Sequence, residues 1–185
     1  MKKILFAGIL LIFFSFFSIR SFGSMIQIIK ADAFTDNECL MINTEAKIIL
    51  TDSIREALNS NIKLTFDLEV LIKGEKFLFW RKRLFYGSYR FELNRYALGE
   101  KFVVTEIANG KQSSYIDLET ALHHLGKPHQ LKIPKTKHDL AQNSHEISVR
   151  WKLSKDALPT PMALTALFSS SWNLNSPWYA LPVNH

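Results

Sequence analysis

The amino-acid sequence predicts a β-rich α+β fold: a single antiparallel β-sandwich-like domain with two short helices, preceded by an N-terminal signal helix. Apolar and polar residues alternate through KLTFDLEVLIK and again through HEISVRWKLSK. This period is that of a strand with one buried and one solvated face. Such strands are typical of antiparallel sheets, whereas strands of parallel sheets are usually apolar on both faces.

Shorter strands are expected on both sides of these two segments. Asn109-Gly110 predicts a hairpin, because this dipeptide favours the tight turn between antiparallel strands. Gly74 and Glu75 are expected to turn one long strand into the next. The weaker strand predictions cover residues 26–29, 40–49, 77–86, 89–93, 102–107 and 114–116.

Two short helices are predicted between the strands. In SIREALN, Ser53 and Glu56 have the spacing of a capping box. In DLETALHHLG, Asp117 is the expected N-cap and Gly126 the expected stop. Neither helix is longer than about three turns, so each must be stabilised by packing against a sheet.

The first 23 residues have the features of a secretory signal peptide. Two lysines precede an apolar run over residues 4–14 that extends to residue 19, and small residues flank Phe22. We expect cleavage after Gly23, a periplasmic location and one globular domain over residues 24–185. The alternative is an uncleaved anchor, with residues 4–19 held in the inner membrane, although a comfortable span needs roughly 20 residues.

Charge and cysteine content restrict the possible partners. The formal net charge of the whole chain is +6, but removing residues 1–23 leaves 20 basic residues against 17 acidic ones. This balance provides little attraction for nucleic acid. Cys39 has no second cysteine with which to form an intrachain bond. We interpret it as a partly buried residue at a strand start, and the alternative is a reactive or partner-bridging thiol.

The chain is predicted to be one domain. No linker rich in Gly, Pro or Ser divides it, and its length suits a single hydrophobic core. The one long polar stretch inside the chain, KPHQLKIPKTKHDLAQNSH, is expected to be an exposed loop.

We predict no catalytic residue, cofactor or metal site. His123 and His124 are adjacent, so on a helix they point about 100° apart, which is poor geometry for sharing one ion. The chain has no GxSxG nucleophile motif and no glycine-rich phosphate loop. Asp67 and Glu69 alternate with apolar residues, so we expect both on the exposed face of a strand as ordinary surface acids.

An aromatic and cationic run, FLFWRKRLFYGSYRFELNRY, allows two interpretations. It is either a central strand that is apolar on both faces, which we favour, or a surface that stacks on an anionic partner or lipid headgroup. The C-terminal SSSWNLNSPWYALPV raises the same choice. There we expect a strand over residues 164–169 and burial of the indoles in the core, since each can bury about 200 Å². The candidate partner or ligand surface comprises Trp80, Arg81, Arg83, Tyr86, Tyr89, Trp172, Trp178 and Tyr179.

Three segments resemble an exported proteobacterial family known as domain of unknown function 4390. They are EALNSNIKLTFDLEV, DLETALHHLG and above all LPTPMALTALFSSSWNLNSPWY. The family typically ends in Leu-Pro-x-Pro followed by Ser-x-x-Trp-x-Leu-x-Ser-x-Trp. Here these patterns are supplied by Leu158, Pro159, Pro161, Ser169, Trp172, Leu174, Ser176 and Trp178. Where the family often has Gly-Ile-Pro-Leu, this chain has Asn61-Ile62-Lys63-Leu64, a departure that bears on turn geometry.

The resemblance implies a location outside the cytoplasmic membrane and no assigned activity. Members tend to be encoded near membrane sensor histidine kinases, which suggests a role in envelope sensing. We therefore expect a non-enzymatic periplasmic module that binds a membrane sensor or another envelope protein. The alternative is a periplasmic β-sandwich that binds a small ligand or lipid through aromatic residues between Phe77 and Phe91. Membrane contact is expected only through the N-terminal segment, if it is retained.

Overall fold

Nine antiparallel strands, arranged in two sheets, form the framework of this domain in a computed structural model that describes residues 25–36, 39–77, 80–127, 130–134 and 146–181. The side chains of residues 25, 75–77, 80 and 81 lie outside that description. The two sheets share one apolar core, and three helices complete the described part of the chain. This architecture confirms the predicted β-sandwich-like α+β fold.

Sheet A has three strands in the order β1-β2-β7. They are β1 (Met25–Asp36), β2 (Cys39–Ile49) and β7 (Leu131–Pro134). Cys39 is half-buried at the first position of β2, as predicted. The prediction of a continuous exposed loop over residues 127–145 is wrong at β7, because Leu131 and Ile133 alternate with polar neighbours and are buried against the core.

Sheet B has six strands in the order β6-β5-β4-β3-β8-β9. They are β3 (Leu64–Phe77), β4 (Trp80–Tyr96), β5 (Lys101–Glu106), β6 (Lys111–Tyr115), β8 (Glu146–Leu153) and β9 (Tyr179–Ala180). The Asn109-Gly110 turn joins β5 to β6 as predicted, and Gly110 adopts φ 69°, which glycine reaches without steric cost.

The predicted turn at Gly74 and Glu75 is wrong. β3 continues through Gly74 to Phe77, and the ladder with β4 only shifts register near Lys73. Residues 80–86 and 89–93 of the two predicted strands are parts of one long strand, β4, whereas Phe77 ends β3 and residues 78–79 lie outside the described residues. A bulge absorbs the irregularity that a glycine introduces into a strand, so the chain does not have to reverse there.

The expectation of one solvated face on each strand fails at β3. Every residue from Leu64 to Val70 is buried, including those whose side chains point away from the apolar core. β3 is central in sheet B, with β4 and β8 on its two sides. Long side chains from both neighbours therefore cover its polar face, which alternation along β3 alone does not reveal.

Helix α1 (Asp52–Asn59) begins two residues earlier than predicted. Thr51, not Ser53, is the N-cap, and its Oγ1 accepts a hydrogen bond from the backbone N–H of Ile54. The predicted apolar stripe of Ile54, Ala57 and Leu58 is buried. After the helix, Asn61 adopts φ 61°, a left-handed conformation that Asn tolerates better than most residues and Gly best of all.

Helix α2 (Leu118–Leu125) has the predicted ends. Asp117 caps the first turn by accepting from the N–H of Thr120, and Gly126 follows the last turn. Gly126 is required by close approach, since its carbonyl accepts from Ala46 N at 2.7 Å and a Cβ there would lie 1.9 Å from Ala46 O. This contact fixes α2 to β2.

The strand predicted before the C-terminal stretch is instead helix α3 (Thr160–Phe168). Pro161 is compatible with the first turn of a helix, where its missing N–H costs nothing, and the Met, Ala and Leu residues that follow favour helix. Met162, Ala163 and Ala166 face the core at helical spacing. The local sequence alternates like a strand only because apolar residues occupy both sides of the helix.

The last described segment runs along the edge of β8. Ser176 Oγ accepts from Trp151 N at 3.0 Å, and the backbone N–H groups of Ser176 and Leu181 donate to β8 carbonyls. Trp172 and Leu174 are buried in the core, as predicted for this segment, but Trp178 is 38% exposed. The prediction that both indoles are buried is therefore wrong at Trp178, whose ring lies on the outer side of sheet B over Arg150. Among the described residues, no helix has both the length and the apolar character needed to cross a membrane.

Candidate functional site

Two acidic side chains of β3 lie buried beneath side chains of the neighbouring strands. Asp67 is 3% exposed and Glu69 is 1% exposed, so the prediction that both are ordinary surface acids is wrong. The strand register explains their burial. Asp67 lies opposite Arg90 of β4 and Lys152 of β8, and Glu69 lies opposite Arg150 of β8. Each carboxylate is thereby covered by a longer, oppositely charged side chain.

Glu69 is bound by three side chains. Tyr86 Oη donates to Glu69 Oε1 at 2.6 Å, and Lys152 Nζ lies 2.7 Å from the same oxygen. Arg150 Nε donates to Glu69 Oε2 at 2.8 Å, and Arg150 Nη2 donates to that oxygen as well. Both carboxylate oxygens are therefore occupied by donors.

These contacts determine the protonation state of the cluster. Burial by itself raises the pKa of Glu69, but hydrogen bonds from Lys152, Tyr86 and Arg150 outweigh it and lower that pKa to about 2. The hydrogen bond to Glu69 raises the pKa of Tyr86 and also that of Lys152. At neutral pH the cluster thus holds a carboxylate, an ammonium group and a neutral phenol.

Asp67 has fewer donors. Arg90 Nε donates to Asp67 Oδ1 at 3.0 Å, and Ser154 Oγ lies 2.5 Å from Asp67 Oδ2. Ser154 Oγ is also 2.9 Å from Asp156 Oδ1, and because a hydroxyl has one proton it donates to one carboxylate at a time. The hydrogen bond from Ser154 lowers the pKa of Asp156, and the bond from Arg90 to Asp67 raises the pKa of Arg90.

The C-terminal segment adds an aromatic ring to this face of sheet B. β9 pairs with β8 so that Tyr179 lies opposite Val149, and Trp178 is the residue before Tyr179. The Cζ atom of Arg150 lies 4.5 Å from the centroid of the Trp178 ring. This is cation–π geometry. We call this surface the charged face; it comprises Asp67, Glu69, Tyr86, Arg90, Arg150, Lys152, Ser154 and Trp178.

The structure brings two of the predicted surface residues together. Tyr86 is 49% exposed and Trp178 is 38% exposed. Both lie on the charged face, and Glu69 and Arg150 connect them through the contacts described above. Tyr86 was predicted as part of a strand apolar on both faces, and its exposure shows that this strand has a polar, half-open side.

The other predicted surface residues lie elsewhere. Trp172 is 6% exposed in the core, and Tyr89 and Tyr179 are half-buried against the core. Burial raises the pKa of Tyr89. Arg83 is exposed opposite Lys73 of β3. The side chains of Trp80 and Arg81 lie outside the described residues.

The ionic part of this site was not predicted from the sequence. Asp67 and Glu69 are spaced by two residues, as are Arg150 and Lys152 on β8. All four residues occupy polar positions of alternating segments. If the two strands pair, the two acids of one strand can form ion pairs with the two cations of the other. This charge pattern could have identified the cluster, but only after β3 and β8 were assigned as neighbours.

The remaining titratable residues form no comparable cluster in the described part of the chain. Histidines 129, 138 and 145 lie outside it, and among the described residues no three His, Cys, Asp or Glu side chains are placed to hold a metal ion. The His124 ring packs against Tyr115, with centroids 5.0 Å apart.

A cavity of about 540 Å³ opens between β4, the turn after β5, and β7. Its apolar walls include Tyr89, Phe91 and Leu131, and its charged lining comprises Arg90, Lys111, Lys132 and one carboxylate, Glu106. Because the cations outnumber the carboxylate, the cavity is suited to a small anionic molecule with an apolar part.

Comparison with known proteins supports one assignment. A family model described as a domain of unknown function, DUF4390, matches residues 23–182. No curated protein and no solved structure matches the chain at a significant level. The matched segment contains all nine strands, the three helices and the charged face. The chain therefore belongs to the family of domains of unknown function DUF4390.

Proposed function

We propose that this domain is a non-enzymatic interaction module of the cell envelope that binds a protein partner through its charged face. One observation carries the proposal: Tyr86 and Trp178 are exposed, yet the buried Glu69 fixes Tyr86 directly and Trp178 through Arg150. Tyr, Trp and Arg are the side chains that dominate binding energy at protein interfaces.

The cations of this face are held in place while remaining partly accessible. The side chains of Arg90, Lys152 and Arg150 are 46%, 35% and 29% exposed, and each contacts a buried carboxylate. A side chain that is already ordered loses less conformational entropy when a partner binds. The charged face is therefore pre-organised for recognition.

The protonation states favour binding over catalysis. A general base works best with a pKa near the operating pH, whereas the pKa of Glu69 is about 2 and both of its oxygens accept hydrogen bonds from neighbours. A carboxylate in this state positions cations and does not take up protons. This supports the non-enzymatic part of the proposal.

The partner is expected to complement the face chemically. Arg90, Arg150 and Lys152 require acceptors, such as carboxylates or backbone carbonyls, and Trp178 requires an apolar contact. A sheet face with these features suits a folded protein, such as the outer domain of a membrane sensor or another envelope protein. The partner would thus present an acidic surface with an apolar centre.

The location in the envelope is part of this proposal. The apolar run over residues 4–19, with two lysines before it, motivates export. Mass analysis of the protein from its native cells tests cleavage: a chain that begins at Ser24 indicates a released periplasmic domain, and one that begins at Met1 indicates an anchored one. Recovery of the protein from the cytoplasm would contradict export.

Affinity capture with matched variants tests the binding face. The full chain is immobilised and exposed to envelope extract, with Trp178→Ala as the test variant and Phe34→Ala as the control, since Phe34 is 38% exposed, like Trp178, and lies on β1 outside the charged face. We expect a stoichiometric partner that wild type and Phe34→Ala retain. Trp178→Ala should weaken its affinity by roughly 30-fold, which corresponds to about 2 kcal/mol at a hot spot. Equal retention by both variants would contradict the proposed face.

The second candidate function is binding of a small ligand or lipid, which the cavity beside Tyr89 and Phe91 favours. Native mass spectrometry of the freshly purified protein distinguishes the two. A retained small molecule, lost in a Lys111→Ala, Lys132→Ala double variant, together with no captured protein partner, would favour this second function.

A further inference from the structure

Helix α3 exposes an apolar stripe. Its nine residues, TPMALTALF, include no charged side chain. Leu164, Leu167 and Phe168 are 58%, 63% and 91% exposed. The opposite side of the helix, which packs on the core, is also apolar. A surface helix normally presents polar residues outward, so the outer stripe of α3 is suited to contact with an apolar medium.

Further apolar side chains are exposed at the same end of sheet B. Tyr96 is 58% exposed, Leu98 is 101% exposed and Ile116 is 84% exposed. β4 ends at Tyr96 and β6 ends at Tyr115. The strand register places both residues beyond Leu64, the first residue of β3. The last residue of β8 also lies at this end of sheet B, and α3 follows β8 in the chain.

The described chain also begins at this end of the domain. Met25 pairs with Ile49, the last residue of β2, which immediately precedes α1. Thr51 Oγ1 donates to the carbonyl of Ser171, three residues after α3. Helix α1 spans about 12 Å and leads directly to β3. The N-terminal entry, α1 and α3 are therefore neighbours.

In the anchored form of the chain, which is the alternative to cleavage after Gly23, the N-terminal sequence connects this end to a bilayer, and the proposal below concerns that form. The apolar run ends at Ile19, and the six residues from there to Met25 can reach at most about 20 Å. Wherever that run lies in a membrane, the α3 end of the domain is kept close to the membrane surface. We propose that this end rests on the lipid bilayer, with α3 as the contact helix and its Leu and Phe side chains at the headgroup–acyl boundary.

This placement has a consequence for the charged face. The strands of sheet B lead away from the α3 end, and Glu69 lies five residues along β3 from Leu64. The charged face would then stand beside the membrane surface, within reach of a membrane-bound partner.

A depth-dependent quenching experiment tests the contact. The full chain, with Cys39→Ser, carries a single environment-sensitive fluorophore on Phe168→Cys, or on Thr35→Cys as the control. Thr35 is exposed and lies ten residues along β1 from Met25, at the strand end away from α3. Each protein is reconstituted into vesicles of phosphatidylethanolamine and phosphatidylglycerol that carry a nitroxide quencher on the upper acyl chain. We expect the label at position 168 to be quenched several-fold more strongly than the label at position 35.

Three outcomes would overturn the proposal. Equal quenching at both positions would indicate non-specific adsorption, and no quenching at either would exclude lipid contact. A blue shift of the position 168 label that grows with protein concentration in the absence of lipid would identify a second copy of the chain as the occupant. Phe168 is 91% exposed, so its replacement leaves the core intact. Differences in quenching therefore do not arise from unfolding.

Discussion

The two faces of β3 are both buried, but by different means. Phe66 and Leu68, like the other apolar residues on the inner face, lie in the core shared with sheet A. On the outer face, the described side chains that contact Asp67 and Glu69 are cations and hydroxyl groups of β4, of β8 and of Ser154, which follows β8. Apolar packing tolerates exchange of similar side chains, whereas each buried carboxylate needs a donor at one particular position. The outer face therefore specifies the register of the three central strands.

A slip of one residue shows how strong this constraint is. It would turn Asp67 and Glu69 into the apolar core and Phe66 and Leu68 out of it, since successive side chains point to opposite faces. A slip of β8 by two residues would preserve the apolar face and leave one carboxylate opposite a cation, because Arg150 and Lys152 have the same spacing as Asp67 and Glu69. The other carboxylate would lie opposite a serine, Ser148 or Ser154. The inner face excludes the first error, and the charged face disfavours the second because ion pairs would be lost.

The largest expected effect on stability distinguishes Trp172, which lies in the core, from Trp178, which lies on the charged face. Trp172→Ala should lower the free energy of unfolding by about 3 to 5 kcal/mol, because it leaves a cavity in the core. Trp178→Ala should cost about 1 kcal/mol or less, because that ring is partly exposed and contacts Arg150 by a cation–π interaction. Urea unfolding measures both. An unchanged stability of Trp172→Ala, or equal losses in the two variants, would contradict this assignment.

Glu69→Gln is expected to cost about 3 kcal/mol, nearly as much as the loss of a core side chain. The variant leaves Arg150 and Lys152 beside a neutral amide that cannot satisfy both charges. Glu119→Gln is the matched control, since Glu119 is 75% exposed and its contact with Arg55 spans 3.4 Å; it should change stability by about 0.5 kcal/mol or less. A cost for Glu69→Gln no larger than that of the control would contradict a stabilising role of the network.

Lowering the pH should reduce the free energy of unfolding through protonation of Glu69 on the outer face of β3. The pKa of Glu69 is about 2 in the folded protein, below the value of about 4.3 for an unperturbed glutamate. Its contribution is therefore fully present above about pH 5 and is lost as the pH falls toward 2, a total of about 3 kcal/mol. Unfolding free energies between pH 6 and pH 2.5 should fall less steeply for Glu69→Gln than for wild type. Equal slopes would mean that Glu69 does not titrate as described.

The smallest effect is expected at Asp67. Ser154→Ala removes one of the two donors to this carboxylate, and Arg90 remains. The loss should be about 1 to 2 kcal/mol, the usual cost of leaving a buried polar group short of a hydrogen bond. Chemical unfolding of Ser154→Ala and of Ser88→Ala, whose side chain lies exposed on β4, provides the comparison. A loss equal to that of Glu69→Gln would mean that the two carboxylates act as one unit.

Some features were predictable because their causes are local. Asn109-Gly110 determines a turn, and Asp117 with Gly126 bounds a helix, through the conformations and side-chain hydrogen bonds of neighbouring residues. The alternation in β3 and β8 correctly identified their apolar faces, and the C-terminal pattern identified the family. The α3 helix was missed because apolar residues on both of its sides conceal its period.

By itself, the sequence determined that this chain is β-rich, which residues face its apolar core, and that Trp172 closes the fold. Only the tertiary structure decided that Asp67 and Glu69 are buried, that Tyr86 and Trp178 share one surface, and that α3 exposes its leucines beside the point where the chain enters the domain. The physical reason is the range of the interactions. Turns, caps and alternation act between near neighbours, whereas Glu69 meets Arg150 across 81 residues, and that contact exists only once β3 and β8 are paired.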